Sequence, residues 1–201
     1  MLIGLQSGSG DTAIRAIALQ DAPEGGTCHP GQGARADLKS DDDGVVVELP
    51  GQGAVRGVQL PGSRHWYGIP FAAPPLGALR WRAPQPHVPW AGVRDASQPQ
   101  PQCMQSSPGW RGTSMSEDCL YLNVFAAPHD ANTLRPVMVW IHGGGFNGGD
   151  AVQGRGLFNG SHLVASQDVV VVTLDYRLNA FGFLGSAHLR DEDGSTGNFG
   201  M

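Results

Sequence analysis

The chain has 201 residues, of which 18 are acidic and 13 basic, for a formal net charge of -5. That length is enough for one domain with a buried core, and the mild, dispersed negative charge argues against a nucleic-acid surface. No apolar run approaches the ~20 residues that cross a bilayer, so no membrane partner is expected.

Residues 1–43 are rich in Gly, Asp, Ser and Ala and end in Ser40-Asp41-Asp42-Asp43. Their apolar periodicity is weak outside a short helix-compatible patch, Ile14 to Leu19, so a disordered leader or a misplaced start codon is expected. Asp11 and Arg15 interrupt the apolar residues and no basic stretch precedes them, which makes a poor signal peptide. Cys28 and His29 sit in this polar tail without two further ligands at metal-site spacing, so Cys28 reads as a free thiol.

Order is expected from residue 44 onward. Val45-Val46-Val47-Glu48-Leu49 reads as a strand, Pro50-Gly51-Gln52-Gly53 as a turn, and Ala54 to Leu60 as the returning strand. Pro61-Gly62-Ser63 makes a second turn before His65-Trp66-Tyr67, which completes a small antiparallel unit. From Ile69 to Gln102 the chain carries Pro70, Pro74, Pro75, Pro84, Pro86, Pro89, Pro99 and Pro101. These prolines exclude long helices and central strands. An extended, packed segment held by Phe71, Leu76, Trp81 and Trp90 is expected instead, with Trp66 adding to the same layer.

Cys103 and Cys119 enclose a segment rich in Ser, Gly and Pro. A disulfide there would contribute on the order of 3 kcal/mol in the chain-entropy picture; two reduced thiols are the alternative. The bridge would point to a periplasmic or secreted protein and its absence to a cytoplasmic one. Leu120 to Phe125, Val137 to Ile141 and Val169 to Leu174 read as strands, and Phe158 to Gln167 as one short helix. Their continuous apolar runs predict strands buried on both faces, as in an α/β sheet with helical cover.

The sharpest motif is His142-Gly143-Gly144-Gly145-Phe146, directly after Val137 to Ile141. Glycines after a buried strand leave backbone N–H groups bare and able to approach a ligand, as an oxyanion hole requires. A phosphate cradle is the competing reading, but no Lys-Ser/Thr pair follows the glycines. No serine stands in Gly-x-Ser-x-Gly, the elbow such holes serve; Ser114, for example, has Gly112 before it but Ser116 after it. The remaining histidines (His29, His65, His87, His129, His162, His188) show no metal-ligand spacing and read as surface or loop residues.

The chain resembles the type B carboxylesterases, α/β-hydrolases that include the cholinesterases. The resemblance rests on Gly68-Ile69-Pro70-Phe71-Ala72-Ala73-Pro74-Pro75-Leu76-Gly77 with Leu79-Arg80-Trp81, and on Ser116-Glu117-Asp118-Cys119-Leu120-Tyr121-Leu122-Asn123-Val124. His142 to Phe146, Tyr176-Arg177-Leu178 with Phe181-Gly182-Phe183-Leu184, and Gly197-Asn198-Phe199-Gly200-Met201 continue it in the family's order. It implies the N-terminal part of an α/β-hydrolase sheet preceded by a small antiparallel β unit, an incomplete fold over 44–201. It implies a serine esterase acting on a small-molecule carboxylic ester without metal or organic cofactor.

By the same resemblance Gly144 and Gly145 supply oxyanion N–H groups, Gly143 the turn, and His142 a structural hydrogen bond rather than the catalytic base. Arg80 pairs with Glu117, leaving Glu117 and Asp118 outside acid–base chemistry. The family's serine, acidic residue and histidine lie beyond Met201, so this chain is expected to be inactive alone, with an apolar edge left open along Val137 to Ile141. In cholinesterases the loop between the two cysteines carries an aromatic residue for quaternary ammonium ligands. Trp110 is displaced by one position from it, so choline substrates do not follow. A non-catalytic adhesion or binding module and an inert truncated product are the alternatives. The missing elbow residue separates the first of these from an enzyme, and oligomeric state is not readable.

Overall fold

A computed structural model describes residues 39–41, 44–106, 114–128, 134–152, 157–189, 194 and 197–200. Cys28, His29, Trp110, His129 and the Ile14 to Leu19 patch lie outside the described residues. One eight-stranded mixed sheet organises the rest. Its strands are β1 (Lys39–Asp41), β2 (Gly44–Leu49), β3 (Gly53–Leu60), β4 (Ser63–Pro70), β5 (Val93–Asp95), β8 (Tyr121–Ala126), β9 (Val137–Ile141) and β10 (Val170–Leu174). They run in the spatial order β1-β2-β3-β4-β8-β10-β9, with β5 beside β3. Two short strands, β6 (Gln102–Cys103) and β7 (Met115–Ser116), pair in parallel apart from it.

Local chemistry explains the first turns. Gln52 N–H donates to Leu49 O at 2.9 Å and Gly51 takes φ +77°, closing the β2–β3 hairpin. Pro61 presets its own φ and Gly62 supplies φ +76°, so Leu60 faces Ser63 across a two-residue loop. The antiparallel unit does not stand apart from the main sheet: β4 pairs antiparallel with β8 and makes the two continuous. Lys39–Asp41 also pairs with β2, so strand structure begins ahead of residue 44.

The proline-rich segment behaves as its composition requires, with a 3-10 turn at Gly77–Leu79 and one short strand, β5, parallel to β3. Phe71 and Trp90 pack against the core, and the Trp81 and Trp90 indoles donate to Ala180 O (2.9 Å) and Ala54 O (2.8 Å). Leu76 departs from expectation: its side chain is exposed.

One face of the sheet buries Val47, Val55, Trp66, Leu122, Val124 and Val172 together. The other is covered by helix α1 (Ser161–Ser166), shorter than the span read from sequence, whose Val164 packs on Phe125 and Val171. A Cβ on Gly160 would meet Val171 and Phe125 at about the closest approach side chains tolerate, so the helix starts against the sheet. His65 is not a surface residue. It is fully buried on this face, its ring bonded to Ser63 Oγ (3.0 Å), Ser161 Oγ (2.8 Å) and Tyr67 OH (3.0 Å). Burial lowers its pKa.

β8 and β10 are buried along their whole length, as continuous apolar runs imply. β9 differs. Among the described residues it is the edge strand, parallel to β10 on one side only, and Met138 (49 %), Val139 (40 %), Trp140 (47 %) and Ile141 (60 %) stand exposed. An exposed apolar edge is a template for further strand pairing. The 201-residue chain is therefore expected to associate with rising concentration, and Met138→Lys to reduce that association while leaving the melting temperature nearly unchanged. Size-exclusion chromatography with light scattering reads this; a parent chain monomeric at all concentrations would contradict it.

Candidate oxyanion site

The site follows from one register. In the parallel β9–β10 pair Ile141 faces Leu174, so the strands end side by side and the loops after them leave together. The C-terminal edge of an α/β sheet is where ligands bind. From β9 emerges His142 to Asp150; from β10 emerges Asp175-Tyr176-Arg177-Leu178, leading into helix α2 (Asn179–Phe183).

The glycine loop turns where Gly144 (φ +129°), Gly145 (φ +61°) and Phe146 (φ +61°) all take positive φ. Asn147 N–H donates to Gly144 O at 3.1 Å. Gly143 does not adopt the left-handed conformation, so the reversal falls one residue later than the sequence reading put it. A Cβ on Gly144 would collide with Gly148 O, whereas one on Gly145 would meet nothing within 4 Å. Both glycines are exposed, and neither N–H donates to another group among the described residues.

Tyr176 and Asp175 hold the two ends of this loop. Tyr176 OH donates to His142 O at 2.9 Å, and its ring stacks on the His142 imidazole with centroids 4.4 Å apart. His142 Nδ1–H donates to Gly143 O at 2.9 Å, which leaves the buried Nε2 without a partner among the described residues. Burial lowers the His142 pKa. At the far end Ala151 N–H donates to Asp175 Oδ1 at 2.8 Å. The middle is held by α2, where Asn179 N–H donates to Phe146 O (2.8 Å) and Asn179 Nδ2 to Asn147 O (2.9 Å).

Arg80 forms a bidentate ion pair with Glu117 through Nε and Nη2, and Cys103 is disulfide-bonded to Cys119. These four residues line one cavity with Trp81, Arg177 and Leu178. Asp118 accepts from Tyr121 OH at 2.8 Å. Arg177 is buried, and its guanidinium finds no hydrogen-bond partner among the described residues. It lies over the Phe199 ring, and burial pulls its pKa down to about 10. Sequence reasoning missed His65 and Gln105. Neither carries a motif, and both act through partners distant in the chain, Ser161 and Gly149. No group of three or more His, Cys, Asp or Glu side chains suited to a metal occurs among the described residues.

The model of the Carboxylesterase family matches residues 43–201. The chain belongs to that family. It is 42 % identical to the fumonisin B1 esterase of Sphingopyxis macrogoltabida over 165 residues, covering 80 % of this chain and 30 % of that protein. It is also 42 % identical to the acetylcholinesterase of Gallus gallus over 163 residues, covering 72 % and 21 %. Among solved structures, a PNB esterase superposes with a TM-score of 0.66 at 42 % identity, covering 77 % of this chain and 31 % of that one. The chain thus spans less than a third of the length of the relatives it matches.

Asp175 gives a test of the loop's support. Burial raises its pKa well above the ordinary 3.8, the nearby Asp150 charge adds to this, and the Ala151 N–H opposes it. The folded state therefore holds this proton more tightly than the unfolded one. Its contribution to stability is full below the unfolded pKa and is lost as pH rises through the folded value. Asp175→Asn keeps an oxygen acceptor for Ala151. It is expected to be more stable than the parent at neutral pH, with the gap closing toward about pH 4. Urea unfolding across that range reads the difference, and parallel profiles would rule it out.

Proposed function

We propose that this chain supplies the oxyanion hole of a carboxylic ester hydrolase, with the N–H groups of Gly144 and Gly145 as donors. The observation that carries the reading is the pair of exposed, undonated amides on a loop held by Tyr176, Asp175 and Asn179. Donors fixed before substrate arrives need no reorganisation as charge develops on the carbonyl oxygen, which is where such sites gain most. Family membership supports the reaction class, a small-molecule carboxylic ester as substrate. In this reading residues 44–201 belong to the N-terminal portion of the hydrolase domain, with Lys39–Asp41 adding a strand ahead of them.

The attacking serine is supplied from outside these 201 residues, since no Gly-x-Ser-x-Gly occurs among them, and the resemblance to the family places its histidine and acidic partner there too. The serine hydroxyl adds to the ester carbonyl and passes its proton to the histidine. The histidine protonates the departing alcohol, and water then releases the acid from the acyl-serine. Arg80, Glu117, Cys103 and Cys119 are scaffold in this scheme.

Two measurements test it. The 201-residue chain alone is expected to resist labelling by a fluorophosphonate probe, whereas the product of the complete reading frame is labelled at one serine and hydrolyses p-nitrophenyl acetate. Stoichiometric labelling of the short chain would overturn the assignment. In the active product Gly144→Ala is expected to lower kcat by roughly a hundred- to a thousand-fold, the usual cost of a lost oxyanion donor. Its Cβ displaces Gly148 O, while Gly145→Ala meets open space, carries only the strain of a side chain at φ +61° and costs less.

A further inference from the structure

The side chain of Gln105 does to Gly149 what a neighbouring strand would do. Gly149 N–H donates to Gln105 Oε1 at 3.0 Å, and Gln105 Nε2 donates back to Gly149 O at 2.9 Å. The same Nε2 lies 2.9 Å from Gln102 Oε1 and 3.2 Å from Cys103 O, so the amide is tied to β6 and to the disulfide-bonded cysteine at once. The Gly149 N–H must point at an oxygen, which fixes which amide atom is which.

The position of Gly149 makes this hold consequential. It takes φ +119°, and a Cβ there would strike the His142 ring and Gly143 O, so the exit of the loop backs directly onto its entrance. One residue earlier, Gly148 O occupies the space beside the Gly144 Cα that a side chain would fill. A shift at Gly149 is therefore passed through Gly148 to Gly144 by direct contact. Tyr176, Asp175 and Asn179 brace the loop from β10 and α2; Gln105 braces it from the disulfide side.

We propose that Gln105 is a positioning residue for the oxyanion loop, setting the Gly144 amide through its two-point hold on Gly149 and coupling that amide to the Cys103–Cys119 bridge. The proposal rests on the esterase reading, and the two fail separately in the following test.

Gln105→Glu and Gln105→Ala are compared with the parent in the protein expressed from its complete reading frame. Hydrogen exchange is followed at the amides of residues 144–150 and in β8 and β10, and kcat and KM are measured on p-nitrophenyl acetate. Glutamate keeps the shape of glutamine but faces a carboxylate toward Gly149 O, Gln102 Oε1 and Cys103 O, all acceptors. Hence Gln105→Glu is expected to be worse than Gln105→Ala. Its loop exchange rises about ten-fold or more while β8 and β10 stay protected, and kcat falls about ten- to a hundred-fold with KM little changed, as for a misaligned oxyanion donor.

A role in packing alone gives the reverse order, since glutamate fills the same space; that result overturns the proposal. So does a loosened loop with unchanged kcat. If the parent shows no ester hydrolysis, the esterase reading falls. In that case the exchange order alone supports or overturns the hold of Gln105 on Gly149.

Discussion

The parallel pairing of β9 with β10 is the constraint on which the candidate site depends. With Ile141 opposite Leu174, the residues that leave the two strands are neighbours, so Asp175 and Tyr176 reach the glycine loop without any further element. A one-residue slip of β10 would exchange its two faces. It would remove Val172 from the core it shares with Val124 and Trp66, and turn Thr173 away from Asn123, whose Nδ2 donates to Thr173 Oγ1 at 3.1 Å. Asn123 in turn accepts Gly68 N–H at 3.0 Å, where β4 shifts register between Trp66 and Ile69. Core packing and this buried polar chain therefore select the same register, and the register positions the loops.

What the loop needs is rigidity without side chains. Glycine costs conformational entropy on ordering, and here the loss is offset by bonds drawn from three places: the end of β10, the start of α2 and the segment beside the disulfide. His142 serves the loop as a plate. It stacks on Tyr176, donates to Gly143 O and blocks the space beside Gly149. Its unpartnered Nε2 and the buried carboxyl of Asp175 are the desolvation costs of placing polar supports inside a core.

Much of this frame is legible in the chain itself, and the reason differs from element to element. β10 is a β-branched run, and Pro61-Gly62 can be little other than a turn. The glycine trio announces bare N–H groups because no side chain competes for the space. Gln105 and His65 are silent in sequence because their meaning lies in partners 44 and 96 residues away. Apolar periodicity carries no information on where a polar side chain points. The open edge of β9 follows from the family resemblance and not from its own residues: an apolar run reports what a strand is suited to touch, and the described residues place β10 on one side of it only.

Backbone strain is present at this place too, where two of the four non-glycine residues of positive φ among the described ones lie, Trp81 and Asn198 being the others. Phe146 and Asn179 both take positive φ, +61° and +52°, although neither is glycine, and the two are joined by the hydrogen bond from Asn179 N–H to Phe146 O. Each such residue costs on the order of 1 kcal/mol or more and persists only where its surroundings over-determine it. Here the Phe146 ring meets Phe183 at 4.8 Å, and Asn179 Nδ2 donates to Asn147 O. A loop serving only as a connection could relax both residues by lengthening. That this one is held under strain on its α2 side, and by Gln105 on the other, fits a segment whose amides must point in one direction before any ligand arrives.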